Sequence, residues 1–234
     1  MPVALITGAS RGFGAAIARS LAGRGWGLVI DGRDATALHE AARGFQGALS
    51  IAAIPGDVAD AGHREDLARA VRAAGRLDLL VNNASDLGTT PLPPLSRYPV
   101  PDLERVFRVN AFAPLALIQL VLPELRSSAG IVVDVSSDAA VEAYPGWGGY
   151  GASKAALDQI TAVVAAEEPA VAFYAFDPGD MRTATHQAAY PGEDISDRAD
   201  PGTVVPALLH LIEERPHSGR FRAADLALAI GAAS

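Results

Sequence analysis

The sequence has no cysteine and a single lysine. Without cysteine there are no disulfides and no thiolate metal sites. The five histidines, His39, His63, His186, His210 and His217, are scattered with no metal-ligand spacing between any two, and are read as ordinary core or surface residues. Basic side chains are outnumbered, 19 Lys and Arg against 27 Asp and Glu for a formal charge of −8, and they form no run. Nucleic acid is therefore not an expected partner, because binding phosphate backbones requires a basic surface. The longest apolar stretch, residues 111–122, holds Pro114 and Gln119 and is too short to span a bilayer. A strand-like run begins at Val3, which leaves no room for a signal peptide. A soluble, cytoplasmic protein with no membrane association is expected.

Half of the residues are hydrophobic and 20% are charged, the composition of a globular chain. Its 234 residues suffice for one domain, 1–234, with a full core. Short apolar runs at 3–6, 28–30, 49–54, 77–81, 131–135 and 171–176 alternate with amphipathic segments at 13–22, 35–43, 63–74, 103–125 and 150–166. A last helix at 203–214 precedes a closing strand at 220–226. This alternation predicts an α/β fold: a doubly wound parallel sheet of about seven strands with helices on both faces. Two long irregular stretches, 85–101 and 183–201, are expected to be functional or mobile.

The single lysine, Lys154, follows Tyr150 by four residues while every other basic residue is arginine. Arginine is a planar fork that stays charged, whereas lysine is a compact point charge, so position 154 calls for a small ammonium. Residues four apart share a helix face, which brings the ammonium near the phenol. At ~4 Å and an effective dielectric of ~20 the attraction is about 4 kcal/mol, or about three pKa units before desolvation opposes it. The phenol is therefore expected to fall below its usual value and to serve as a general acid or base.

The first strand runs into Thr7-Gly8-Ala9-Ser10-Arg11-Gly12-Phe13-Gly14. Glycines here permit a tight turn and close approach of a ligand, and the helix that follows offers free N–H groups to a pyrophosphate. Together with Asn82-Asn83-Ala84 after the fourth strand and Tyr150-x-x-x-Lys154 after the fifth, the sequence resembles the short-chain dehydrogenase/reductase family over roughly residues 3–183. The resemblance implies a Rossmann-like fold with NAD(P) at the carboxyl ends of the strands.

It also implies a set of site residues. Thr7, Gly8, Ser10, Arg11, Gly12, Phe13 and Gly14 would hold the pyrophosphate and Asp57 and Val58 the adenine, and Asn83 and Ala84 of the fourth-strand motif would also bind the cofactor. In NAD-preferring relatives an acid at the position of Gly32 binds the adenine ribose. Here Arg33 follows that glycine and Arg11 lies in the turn, so two guanidinium groups would clamp a 2′-phosphate, favouring NADP over NAD. Asp31 remains a further candidate for a ribose hydroxyl. Pro178, Gly179, Met181 and Thr183 match the segment that contacts the nicotinamide carboxamide.

For catalysis, the resemblance places a serine and Tyr150 on the substrate carbonyl oxygen, with Lys154 on the nicotinamide ribose. Family spacing of thirteen residues before Tyr150 selects Ser137, with Ser136 as the alternative. Asn110 is the fourth member, its carbonyl holding a relay water in relatives. Pro114, four residues on, has no N–H to donate to that carbonyl, so we expect it to keep the acceptor free. Ser85 departs from the family, which has glycine there, and the C-terminus lacks the family's Asp-Gly-Gly turn. The helices at 103–125 and 150–166 are expected to form a homodimer.

The substrate is expected among three loops, 85–101, 139–149 and 184–201. Tyr144 and Trp147 either line an aromatic pocket or pack loop against core. The leading reading is an NADP-dependent oxidoreductase acting on a small carbonyl compound or secondary alcohol. A non-catalytic NADP-binding redox sensor and an NAD-dependent alcohol dehydrogenase are the alternatives.

Overall fold

The computed structural model describes residues 1–233; Ser234, the last residue of the expected domain, lies outside the described residues. Seven parallel strands form one sheet in the order β3-β2-β1-β4-β5-β6-β7. They are β1 (Val3–Ile6), β2 (Gly27–Gly32), β3 (Ser50–Pro55), β4 (Leu79–Asn82), β5 (Ile131–Val135), β6 (Ala172–Asp177) and β7 (Gly219–Arg222). The helices between them are α1 (Gly12–Ala22), α2 (Ala35–Arg43), α3 (Ala61–Ala74), α4 (Val100–Phe107), α5 (Ala113–Ser127), α6 (Gly148–Glu167), α7 (Ala184–Ala189), α8 (Pro201–Glu214) and α9 (Ala223–Ala233).

The four strands β1, β2, β4 and β5 are buried along their whole length, which is why they read as unbroken apolar runs. Alternate residues face opposite sides. Ile6, Ile30 and Val133 meet Ile17 and Leu21 of α1 and Leu208 and Leu211 of α8 on one face. Leu5, Val29 and Val132 meet Leu67 of α3 and Leu117, Val121 and Leu125 of α5 on the other. Each such side chain contributes roughly 1.5–3 kcal/mol by leaving water. Side-chain caps set the helix starts: Asp34 accepts from the Ala37 N–H at 3.0 Å and Asp60 from the Gly62 N–H at 2.8 Å.

Three expectations change. The helix expected over residues 103–125 is broken: α4 and α5 are joined by a π turn, Arg108–Phe112, closed by the Ala113 N–H on the Arg108 carbonyl. A proline at 114 removes the donor that a regular α turn needs there, and the ladder shifts by one residue. The whole helical run Val100–Ser127 is 28 residues long and apolar. Its inward residues pack on the sheet like those of a core helix. The stretch 184–201 contains α7, and the closing strand stops at Arg222, where α9 begins.

The sheet order reverses beside β1, which is followed on one side by β2 and on the other by β4. Ligands in open α/β sheets bind beyond the carboxyl ends of the strands at such a point. A cleft of about 990 Å³ opens there.

Candidate active site

The glycine turn forms one end of the cleft. Gly8 and Gly12 take φ of 66° and 58°, a region in which a side chain is strained. A Cβ on Gly14 would stand 2.5 Å from the Gly8 carbonyl and the Asn83 side chain, so bare backbone is required where turn and helix meet. The end of β4 is stitched to the turn. Asn83 donates from Nδ2 to the Thr7 carbonyl at 2.9 Å, and the Asn83 and Ala84 N–H groups both donate to Thr7 Oγ1 at 3.0 Å. Thr7 and Asn83 thus shape the cradle, which Ser10, Arg11, Gly12 and Phe13 help to line. Arg11 and Arg33 are exposed at its mouth, and among the described residues neither makes an ion pair. Asp57 turns back to the Ala59 N–H at 2.8 Å and lines the cleft beside Val58.

Asp31 lies at the cleft with both carboxylate oxygens already engaged. It is buried, with Oδ1 accepting from the Gly8 N–H at 2.6 Å and Oδ2 meeting His63 Nε2 at 3.0 Å. Burial pushes its carboxyl up, opposed chiefly by the bond to His63. His63 was not singled out from sequence. Its only local mark is Gly56, where any Cβ would overlap the imidazole ring.

At the other end of the cleft stand Ser137, just beyond β5, and Tyr150 and Lys154 on α6. The Tyr150 hydroxyl faces those of Ser85 and Ser137, each close enough to favour its ionised form. Ser136 is buried, with its Oγ unpartnered among the described residues, so Ser137 supplies the serine hydroxyl beside the tyrosine.

The expected fall in the Tyr150 pKa does not occur. Burial pushes the phenol up to about 12; Ser85 and Ser137 oppose this, and Asp138 and Asp177 add to it. The ring keeps some surface open to the cleft. Lys154 is near but wrongly placed to acidify it. The ammonium stands 5.6 Å from the centre of the phenol ring and donates to the Val135 carbonyl at 2.6 Å. Burial pushes Lys154 itself down to about 8, opposed by Asp134 and Asp158.

Asp134, on β5, is the counter-charge that sequence reading missed. It is fully buried, accepting from Asn82 Nδ2 and Thr161 Oγ1, both at 2.7 Å. Burial pushes its carboxyl up to about 6. The native state therefore holds this proton more tightly than the unfolded chain, and stability declines as pH rises from about 4 to about 6. Asp134→Asn satisfies both partners, accepting from Asn82 and donating to Thr161, whose hydroxyl turns to the Leu157 carbonyl at 2.8 Å. Urea titrations from pH 4 to 7 should show that decline disappear in the variant, by roughly 1–3 kcal/mol across the window. A variant with the wild-type slope would clear Asp134 of this role.

The geometry can be set beside known proteins. The short chain dehydrogenase family profile matches residues 2–194. The chain belongs to the short-chain dehydrogenase family. It is 37% identical over 172 residues to a rhamnolipids biosynthesis 3-oxoacyl-[acyl-carrier-protein] reductase of Pseudomonas aeruginosa, covering 70% of this chain and 66% of the relative. It is 36% identical over 183 residues to a benzil reductase ((S)-benzoin forming) of Saccharomyces cerevisiae, covering 71% and 66%. An alcohol dehydrogenase from the archaeon Thermococcus sibiricus, complexed with 5-hydroxy-NADP, superposes with a TM-score of 0.85 over 95% of each chain at 27% identity. The family is one of NAD(P)-binding oxidoreductases, and the cradle suits such a dinucleotide by its bare glycine backbone and the exposed guanidinium groups of Arg11 and Arg33.

Within the short-chain dehydrogenase fold, Asn110 sits in the π turn and its side chain is fully engaged. Oδ1 accepts from the Asp86 N–H at 2.7 Å and from Ser85 Oγ at 3.2 Å. Nδ2 donates to the Asp86 carbonyl at 2.8 Å and to Ser153 Oγ at 2.9 Å, tying the loop after β4 to α6. Thr183 lies across from Gly12, and its hydroxyl caps α7 by accepting from the His186 N–H at 3.2 Å. Pro178, Gly179 and Met181 line the cleft, and Met181 is bridged to Ala199.

Arg220, on β7, lies beyond the segment that the family profile matches. Its guanidinium donates to the Ser137 carbonyl at 2.8 Å, to Asp177 at 3.0 Å and to Asp158 at 3.0 Å. One side chain thus ties together the segment carrying the serine, the end of β6 and the helix of the lysine. No sequence spacing marks it.

Proposed function

We propose that this protein is an NADP-dependent oxidoreductase that interconverts a carbonyl compound and its alcohol. One observation carries the reading: the hydroxyls of Ser137 and Tyr150 meet at one end of a cleft whose other end is the glycine turn. Both relatives named above are reductases, which favours carbonyl reduction. Bound NADPH supplies the hydride. Ser137 and Tyr150 hold the carbonyl oxygen by hydrogen bonds. Tyr150, kept protonated by burial, donates its proton to that oxygen as negative charge develops there. Lys154 supplies positive charge behind the ring, and Asn110 holds the loop that carries Ser85. The Asn110 carbonyl, with no N–H at Pro114, is the proposed seat of a water linking Lys154 to solvent.

The preference for NADP is assigned to Arg33 and Arg11, which would grip the 2′-phosphate. Arg33→Ala is expected to weaken NADPH binding about ten- to hundredfold, a loss of roughly 1.5–3 kcal/mol, and to leave NADH binding within twofold. Titration of both cofactors by nicotinamide fluorescence checks this. An equal loss for the two would reject the 2′-phosphate assignment.

We also propose a cytoplasmic, single-domain protein that acts as a homodimer. Phe112, after α4, and Val163, on α6, leave apolar side chains exposed on the outer faces of these helices. Light scattering should return about twice the 24.1 kDa chain mass. A monomer at micromolar concentration would dispose of that assembly.

A further inference from the structure

The catalytic hydroxyls form one wall of the substrate half of the cleft, and aromatic rings form another. Trp147, at the start of α6, lies edge-on to Tyr150, with centroids 5.7 Å apart at 71°. It also meets Tyr190, at the end of α7, at 6.1 Å and 48°. Tyr190 leans in turn on the buried His186 at 5.0 Å. Trp147 and Tyr190 both line the cleft and both keep part of their surface open to solvent. Rings left half-covered beside a reacting hydroxyl are matched best by another planar ring, which covers their faces and edges in stacked or edge-on contact.

Charge narrows the class. The acidic side chains lining this half are Asp86, Asp138, Asp177 and Asp180, of which Asp86 is paired with Arg105 and Asp177 with Arg220. Arg33 follows β2, three strands from β5 and roughly 14 Å away at about 4.8 Å per strand, and Arg11 follows β1, two strands and roughly 10 Å away. Arg198, near the aromatic wall, is already shared between Asp180 at 3.6 Å and Asp197 at 2.8 Å. Among the described residues, the cation nearest Tyr150 is Lys154, held on the Val135 carbonyl, so a carboxylate or phosphate on the substrate would meet Asp138 and Asp180 first.

We propose that the carbonyl substrate of this site is an uncharged aryl ketone, its ring seated on Trp147 and Tyr190 and its oxygen at Tyr150. In the reaction the carbonyl carbon takes hydride from NADPH and the oxygen takes the Tyr150 proton, giving a benzylic secondary alcohol and NADP⁺. This rests on the reductase reading above.

The test compares propiophenone and benzil with their saturated counterparts, 1-cyclohexylpropan-1-one and 1,2-dicyclohexylethane-1,2-dione, and with 4-propionylbenzoate, using NADPH and the full chain. We expect kcat/KM for each aryl ketone to exceed that of its saturated counterpart at least tenfold, and the carboxylated ketone to fall at least tenfold below propiophenone. Trp147→Ala and Tyr190→Leu should each shrink the aryl advantage to about twofold, through KM, with NADPH affinity unchanged. Tyr190→Leu leaves Trp147 beside Tyr150 and keeps the test open if the Trp147 variant fails to fold. Equal turnover of aryl and saturated ketones, or preference for 4-propionylbenzoate, overturns the substrate class while leaving the reductase intact. NADPH binding with no turnover of any of the five ketones overturns the class and the reductase reading together.

Discussion

Tyr150→Phe is expected to cut kcat/KM for carbonyl reduction by about 10²–10⁴-fold while NADPH affinity stays within twofold. The substitution removes one oxygen atom and leaves the ring where it packs, edge-on to Trp147 and over the Lys154 ammonium. What disappears is the proton that the proposed mechanism delivers to the substrate oxygen. Burial holds this phenol at about 12, so it is fully protonated at neutral pH and ready to donate in the reductive direction. Stability should change little, by about 1 kcal/mol or less, because Ser85 retains Asn110 and Ser137 retains Asp138 as partners. Steady-state rates with any ketone that the wild type reduces, paired with thermal melts, decide it. A variant keeping more than a tenth of the wild-type rate would mean that the proton comes from elsewhere.

Lys154→Arg should be nearly as damaging to the rate, about 10²-fold or more, and should also destabilise the fold by roughly 1–3 kcal/mol. The ammonium occupies a buried site, with its Nζ at 2.6 Å from the Val135 carbonyl. A planar guanidinium is larger and cannot give up its proton there. Lys154→Met separates the two effects, since it fills the space without charge. Because burial holds Lys154 near 8, below its unfolded value of about 10.4, unfolding takes up a proton in that interval. Wild-type stability therefore gains as pH rises from about 8 to about 10.4, and Lys154→Met should lose that gain along with turnover. Denaturant midpoints at pH 7, 8, 9 and 10 show it directly; a methionine variant that keeps the wild-type rate would remove the lysine from the chemistry.

The parts of the site that could be read from sequence are those encoded in short local patterns. The glycine turn needs backbone without Cβ within eight consecutive residues, and Tyr150 and Lys154 lie one helical turn apart. Parallel strands buried on both faces leave apolar runs that periodicity detects. The parts that could not be read depend on distant partners. Asp134 meets Asn82 across 52 residues, and Arg220 reaches Ser137 across 83. Nothing local shows that Gly8 and His63 both turn to Asp31. Spacing brought Lys154 close to Tyr150 but carried no information on the direction of its ammonium or on the burial of the phenol, and those two reversed the expected titration. Helical periodicity likewise does not resolve a single π turn within a long amphipathic stretch, although Pro114 marked where the ladder would fail.

The grip of Arg220 on Ser137, Asp177 and Asp158 has a consequence for biosynthesis. Every strand that shapes the nucleotide cradle has left the ribosome long before this arginine does. A nascent chain that stops short of Arg220 carries the glycine turn, the tyrosine and the lysine, yet Asp158 and Asp177 lack this counter-ion and the serine segment lacks this anchor. The Ser137 end of the cleft is thus expected to set only with β7, well after the glycine turn has formed.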